Sequence, residues 1–139
     1  MKPILYIDMD GVVGDYMDPK HNKGGDDYKR VGFFKEMPEI VGMKDAVLQL
    51  DRKYDVYFLS TAPWSSPVAW KEKREWIEDK FGNRFDKKLI LTHRKDLVIG
   101  DYLIDDRPTA NGADKFKGKL LVFGSDKYPN WKSILKELM

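Results

Sequence analysis

The stretch that decides the fold is YIDMDGV, residues 6–12. In it, two carboxylates, Asp8 and Asp10, and a glycine directly follow a short apolar run. Four more such runs follow along the chain. All five are nearly continuous in apolar residues, which is typical of strands that are covered on both faces. They lie at Ile4–Ile7, Val56–Leu59, Leu89–Leu91, Tyr102–Ile104 and Leu120–Phe123.

Segments with helical periodicity separate the runs. Apolar residues recur at helical spacing in Met43–Leu50 and in Trp131–Leu138. After the second run, Ser66 before Pro67 predicts the start of a helix, and Gly82 predicts its end. This alternation predicts an α/β fold, a doubly wound and mostly parallel five-stranded sheet with helices on both faces.

The length of 139 residues fits a single domain over residues 1–139. Residues 14–38 break the pattern, with charges and glycines but no period, and predict a small excursion above the sheet. The absence of cysteine excludes disulfide scaffolds and thiolate metal sites. The net charge of +2 argues against a duplex nucleic-acid partner. Since no apolar run is long enough for a membrane, we expect a soluble, cytoplasmic protein.

Chemically active side chains follow the other strands as well. Thr61 follows the second run, Lys95 lies just before the fourth, and the fourth leads into the pair Asp105-Asp106. In a parallel sheet, ligands bind at the carboxyl ends of the strands, so these groups should meet the two acids of residues 6–12. Each alone is more often a turn or surface residue, but their order along the chain serves one reaction.

The reaction that such a set of groups suits is phosphoryl transfer. Clustered carboxylates repel one another unless a divalent cation binds their oxygens, and magnesium also bridges carboxylates to phosphate. A carboxylate can then attack phosphorus and form an aspartyl-phosphate that water hydrolyses. Lys95, Thr61 and backbone amides would neutralise the transferring group, and Asp10 is placed to exchange a proton with the leaving oxygen and with water.

These residues resemble the four motifs of the haloacid dehalogenase (HAD) superfamily of phosphohydrolases, and within it the 5′(3′)-deoxyribonucleotidases. The motif matches are Asp8–Val12, Thr61, Lys95 and Leu103–Asp106. Further matching stretches are Gly32–Phe34, Gly42, Ala46–Val47, Pro63, Glu72–Lys73, Trp76, Ile90–Thr92, Gly100–Asp101 and Arg107–Pro108. The resemblance implies a magnesium-dependent phosphomonoesterase that acts on deoxyribonucleoside 5′(3′)-monophosphates through an aspartyl-phosphate.

The resemblance also implies a role for each matching side chain. Asp8 would be the nucleophile and a magnesium ligand, and Asp10 the general acid and base, with its backbone carbonyl on the metal. Asp106 would be the remaining protein ligand and Asp105 a supporting carboxylate. The phosphate would be held by Thr61, the Ala62 backbone, Lys73, Lys95 and Arg107. The candidates to line a nucleoside pocket are Phe33, Phe34 and Trp64.

Two of these assignments compete with simpler ones. Lys73 falls near the middle of the apolar stripe of its helix, so it either reaches a bound phosphate or lays its stem on the core with the ammonium in water. Phe33 and Phe34 are also good core residues. His21 and His93 lack the spacing of zinc ligands, and we expect both on the surface.

The chain departs from the family in its cap. Only Asp15–Val31 remain for it, which predicts a loop or one short helix rather than a helical bundle. A more open site would exclude water less well and hold the base less firmly, or would need a partner subunit, as in a homodimer, to cover it. It could also admit a larger substrate, such as a nucleic-acid end or a phosphoprotein. Other small phosphate esters remain an alternative. A receiver-like signalling domain is disfavoured because Ser60 and Thr61, not an aspartate, end the second run. A non-catalytic binding module is disfavoured because it would not need a nucleophile, a general acid, a lysine and metal ligands together.

Overall fold

The computed structural model describes all residues, 1–139. Its strands are β1 (Ile4–Ile7), β2 (Asp55–Ser60), β3 (Leu89–Leu91), β4 (Tyr102–Asp105) and β5 (Lys119–Val122). Its α-helices are α1 (Met43–Lys53), α2 (Pro67–Phe81) and α3 (Trp131–Leu138). The strands form one sheet in the order β3-β2-β1-β4-β5, and every pair is parallel. The predicted α/β fold is therefore confirmed.

The register of the sheet brings the ends of three strands together. Ile7, the last residue of β1, pairs with Phe58 in β2 and with Ile104 in β4. The residue after β1, Asp8, therefore lies between the carboxyl ends of its two neighbours. Strand β5 begins one residue earlier than predicted, at Lys119, because this edge strand leaves the lysine side chain exposed to water.

The two faces of the sheet are covered differently. All three α-helices contribute to the larger core cluster, which α1 enters with the apolar residues of its predicted stripe, Met43, Ala46, Val47 and Leu50. The opposite face carries a small cluster around Leu103 and Phe116, next to the 3-10 helices Lys95–Leu97 and Ala113–Lys115. No helix in the structure is long and apolar enough to cross a bilayer.

Residues 15–37 form a loop with one 3-10 turn, Asp27–Lys29. The buried Glu72 of α2 anchors it, because its carboxylate accepts the backbone N–H of Gly32 at 2.6 Å and that of Phe34 at 3.2 Å. His21 was expected on the surface but is half-buried, with Nε2 2.7 Å from the carbonyl oxygen of Phe33. The loop is thus held by buried polar contacts as well as by its aromatic residues.

Candidate active site

Three carboxylates meet at the carboxyl ends of β1 and β4. Oxygens of Asp8, Asp105 and Asp106 all lie within 4.8 Å of one another. Asp8 and Asp105 are buried, and the buried Oδ1 of Asp106 has no hydrogen-bond partner. An unpartnered buried carboxylate oxygen beside two further acids fits a divalent cation with oxygen ligands.

The three acids are not equivalent. Asp105 has both oxygens occupied, since Oδ2 accepts from Lys95 Nζ at 2.6 Å and Oδ1 accepts from the backbone N–H of Arg107 at 3.0 Å. Asp106 has an oxygen to offer. That Asp105 is a supporting carboxylate and Asp106 a metal ligand stays a prediction.

Burial governs the protonation of this cluster. It raises the pKa of Asp8 well above its ordinary value, and the neighbouring acids add to this while Lys95 opposes it. Burial also raises the pKa of Asp106. A divalent cation between these groups would relieve both effects, because it stabilises the ionised carboxylates.

Lys95 is buried, and its ammonium bridges the acids. Nζ donates to Asp8 Oδ1 at 3.0 Å and to Asp105 Oδ2 at 2.6 Å, while the backbone N–H donates to the carbonyl of Asn111. Burial lowers the pKa of Lys95, but the two carboxylates outweigh it, so its pKa is raised and the ammonium stays charged. The lysine therefore orients the Asp8 carboxylate.

Lys73 makes a second buried ion pair, with Asp10. Its Nζ donates to Asp10 Oδ2 at 2.9 Å and to Ser60 Oγ at 3.0 Å, and lies 4.6 Å from the centre of the Phe34 ring. The side chain is only 1% exposed, so the alternative in which its ammonium reaches bulk water is wrong. The Asp10 side chain is 28% exposed and so remains open to the site.

Gly11 allows the backbone of residues 6–12 to lie close to the Asp105-Asp106 pair. Its φ is +80°, and a Cβ at this position would collide with the Asp106 carboxylate. A glycine directly after the Asp8-x-Asp10 pair therefore serves the assembly of the acid cluster, beyond the needs of a turn.

Two connected concavities open from the cluster. A small one of about 40 Å³ is lined by Asp8, Asp10, Thr61, Lys95, Asp105, Arg107, Ala110 and Asn111. Beside it lies a cavity of about 470 Å³, which we call the substrate cavity, lined by Asp10, Gly11, Tyr16, Met17, Tyr28, Phe34, Thr61, Pro63, Asp106, Arg107 and Asn111. A larger groove of about 590 Å³ along α2 and β3 contains none of these acids and lies apart from the cluster.

The predicted phosphate-binding groups are placed unequally around these concavities. Thr61 and the exposed Arg107 line both. The Thr61 hydroxyl donates to the carbonyl of Thr92 at 2.7 Å, which fixes its orientation. Ala62 is fully buried beside it. Lys73 lines neither concavity and contacts Asp10 instead.

The aromatic residues differ most from expectation. Only Phe34 lines the substrate cavity, whereas Phe33 is fully buried against Tyr16, and Trp64 is 81% exposed outside the lining. Tyr16 and Tyr28, which the sequence reasoning missed, supply the other aromatic walls. They lie in the irregular loop 15–37, where no periodicity indicates which side chains turn toward the site.

Comparison with known proteins gives one consistent family. A family model described as "5′ nucleotidase, deoxy (Pyrimidine), cytosolic type C protein" matches residues 26–134. A protein of Vibrio phage KVP40 described as a 5′(3′)-deoxyribonucleotidase is 41% identical over 145 residues, covering 99% of this chain and 85% of its own length. A similarly described protein of Staphylococcus epidermidis is 31% identical, covering 86% of this chain and 67% of the relative.

A human enzyme and a solved structure extend the comparison. The human cytosolic-type 5′(3′)-deoxyribonucleotidase is 34% identical over 112 residues, which are 78% of this chain and 49% of the human protein. The HAD hydrolase YfnB of Bacillus subtilis, solved bound to magnesium, superposes with a TM-score of 0.61 at 13% identity. The superposition covers 93% of this chain and 90% of YfnB, and it shows a shared fold.

Proposed function

Because this chain belongs to the 5′(3′)-deoxyribonucleotidase family of phosphoric monoester hydrolases, we propose that it removes phosphate from deoxyribonucleoside 5′(3′)-monophosphates with the aid of magnesium. The observation that carries the proposal is the cluster of Asp8, Asp105, Asp106 and Lys95. Asp8, Asp105 and Lys95 line the small concavity, and Asp106 lines the substrate cavity beside it. The cluster combines a carboxylate nucleophile with charge-neutralising groups in a space open to a nucleotide.

Magnesium would be held by the carboxylates of Asp8 and Asp106 and by the backbone carbonyl of Asp10. The unpartnered Oδ1 of Asp106 supports this set, as does the magnesium in the HAD hydrolase of the same fold. When bound, the cation neutralises the negative charge of carboxylates and phosphate that would otherwise repel each other. The nucleophilic attack and the proton transfers are carried out by side chains of this chain.

The first step is attack by a carboxylate oxygen of Asp8 on phosphorus. Lys95 holds Asp8 Oδ1 at 3.0 Å, which limits the rotation of the carboxylate. As the new bond from Asp8 to phosphorus forms, the bond from phosphorus to the ester oxygen breaks, and Asp10 gives its proton to that oxygen. The nucleoside leaves with a free hydroxyl.

The second step reverses the role of Asp10. It takes a proton from a water molecule, which attacks the phosphorus of the aspartyl-phosphate. The bond between phosphorus and Asp8 breaks, and inorganic phosphate is released. Lys73 holds Asp10 in place for both proton transfers through its 2.9 Å ion pair, so we treat it as a positioning residue, with a direct phosphate contact as the alternative.

The phosphate is held by the Thr61 hydroxyl, the Ala62 backbone, Lys95 and Arg107. The nucleoside occupies the substrate cavity, where Tyr16, Tyr28 and Phe34 offer aromatic surface. Loop 15–37 lies where the resemblance implies a helical cap, and it holds only one 3-10 turn. A homodimer that covers the substrate cavity stays a prediction.

Phosphate release from a panel of nucleotides tests the proposal. Purified protein with magnesium is incubated with 5′- and 3′-monophosphates of each deoxyribonucleoside and with sugar phosphates. We expect turnover of the deoxyribonucleotides that is abolished by Asp8→Asn and by chelation of magnesium, and retained in the exposed-site control Asp126→Asn. Preference for sugar phosphates would support the other phosphate-ester alternative, and release independent of Asp8 would refute the mechanism.

A further inference from the structure

Three aromatic rings form an exposed surface beside the active site, which we call the aromatic platform. It consists of Trp64, Trp70 and His93, with ring centroids 6.0 to 6.2 Å apart. The Trp64 side chain is 81% exposed, although its ring is held edge-on against the other two. A contiguous patch of aromatic side chains that includes an exposed tryptophan is a candidate binding surface.

The platform is continuous with the substrate cavity. Pro63 lines that cavity, and its carbonyl accepts a hydrogen bond from Trp70 Nε1 at 3.0 Å. On the other side, the Thr61 hydroxyl bonds the carbonyl of Thr92, the residue before His93. The platform therefore lies at the carboxyl ends of β2 and β3, and β3 is about 10 Å, two strand spacings, from β1 and Asp8.

We propose that the aromatic platform stacks the base of a nucleotide that is covalently joined to the reacting one, so that the enzyme also removes a terminal phosphate from single-stranded oligodeoxynucleotides. This inference rests on the proposed function, since the terminal phosphate is hydrolysed by the same residues. The phosphorus–ester oxygen bond breaks, the oligonucleotide leaves with a hydroxyl group, and phosphate is released, so no further reactant is needed.

The chemistry of the platform favours a nucleobase. Bases of every type present a flat π-face that stacks on aromatic side chains, and this binding tolerates any sequence. Two cations follow platform residues directly, Lys71 after Trp70 and Arg94 after His93. The pair of Lys71 with Glu75, at 3.6 Å, is at the surface and contributes little, so a phosphodiester can compete for Lys71. Arg94 is held more firmly, because its guanidinium donates to both oxygens of Asp96, at 2.9 and 2.7 Å.

The test compares kcat/KM for thymidine monophosphate with that for a thymidine trinucleotide carrying the same terminal phosphate, at the 5′ or the 3′ end in separate arms. We expect the trinucleotide to be favoured roughly tenfold at one end, the contribution of one stacked base. Trp64→Ala should remove this preference, and Trp64→Phe should keep most of it. Ile99→Ala is the control, because Ile99 is 85% exposed but precedes the amino end of β4, whereas the platform lies at the carboxyl ends of β2 and β3.

Equal kcat/KM for both substrates, or a preference that survives Trp64→Ala, would overturn the inference while leaving the proposed function intact. If wild-type protein hydrolyses neither substrate, the proposed function fails, and fluorescence anisotropy with a labelled, unphosphorylated oligodeoxythymidylate tests the platform alone. There, unchanged binding by Trp64→Ala would refute base stacking. Sedimentation of the wild-type protein and of Trp64→Ala tests whether the platform is instead a contact between two copies of the chain. A wild-type dimer that Trp64→Ala dissociates would refute the inference.

Discussion

Replacing Lys73 by methionine would separate its two candidate roles. Methionine keeps most of the buried stem and removes the ammonium that joins Asp10 to Ser60. If Lys73 positions Asp10, the substitution slows the proton transfers and lowers kcat, with little change in KM. If Lys73 binds the phosphate directly, KM rises instead.

The magnitude follows from the contacts. A hydrogen bond to a charged group contributes about 1.5–3 kcal/mol, so loss of the 2.9 Å bond to Asp10 should lower kcat by roughly one to two orders of magnitude. Ser60 is 1% exposed, and its hydroxyl loses a donor, which costs about 1–3 kcal/mol of stability. Removing the desolvated ammonium offsets part of that cost. We expect a net decrease in the free energy of unfolding of about 1–2 kcal/mol.

A second lysine of the same chain provides the control. Lys88 pairs with Asp55 at 2.8 Å and lies 4.8 Å from the centre of the Tyr57 ring, so it repeats the arrangement of lysine, aspartate and aromatic ring away from the active site. It is 24% exposed, and Lys88→Met should change stability by less than about 1 kcal/mol and leave kcat unchanged.

Steady-state kinetics on the single variants and on the double variant of Lys73→Met with Asp10→Asn provides the assay. If Lys73 acts through Asp10, the double variant is as slow as Asp10→Asn alone. Additive losses in kcat, or a rise in KM with kcat preserved, would refute the positioning role.

Three further changes test the site. Gly11→Ala forces a Cβ against Asp106 and strains a backbone with φ of +80°, so calorimetry should find magnesium binding weakened at least tenfold; unchanged affinity would contradict the packing argument. Since burial raises the folded-state pKa of Asp8, magnesium-free protein should gain stability as pH falls from neutral toward the ordinary carboxyl pKa of about 4, and Asp8→Asn should flatten that trend in denaturant titrations. A decrease in stability over the same range, removed by that substitution, would refute the sign. Glu72→Gln replaces one acceptor of the backbone of loop 15–37 with a donor, so hydrogen exchange there should accelerate while β1 stays protected.

The sequence was most informative where strand pairing fixed the neighbours of a residue. Asp8 follows a strand at the centre of the sheet, and parallel pairing alone brings it next to Asp105 and Asp106. For Lys73, in the middle of an apolar stripe, the sequence predicted either a bound phosphate or bulk water as the partner of the ammonium. The sequence could not identify that partner as Asp10, because helix periodicity gives the face of a helix and not the length or rotamer of the side chain that leaves it.

The sequence also could not predict which aromatic residues line the substrate cavity, because it does not give the direction of side chains in an irregular loop. Phe33 and Phe34 are adjacent in the chain, yet only Phe34 lines the cavity, since the direction of each ring depends on how Glu72 holds the backbone of this loop. Tyr16 and Tyr28 are brought to one cavity by a loop without regular structure. Positions in such loops are fixed by individual tertiary contacts, which local patterns in the sequence do not encode.

The charges of the site explain how a nearly neutral protein can bind an anion. Asp8, Asp10, Asp105 and Asp106 carry four negative charges when ionised, and the two buried lysines, Lys73 and Lys95, return two positive ones. The remaining two negative charges equal the charge of one magnesium ion in magnitude, so a site loaded with the proposed magnesium would be close to neutral. A phosphate would then meet little repulsion, and the exposed Arg107 at the rim would supply the excess of positive charge that favours its entry. The net charge of +2 therefore says little about the ligand, because the balance that matters is local and would include the proposed cation.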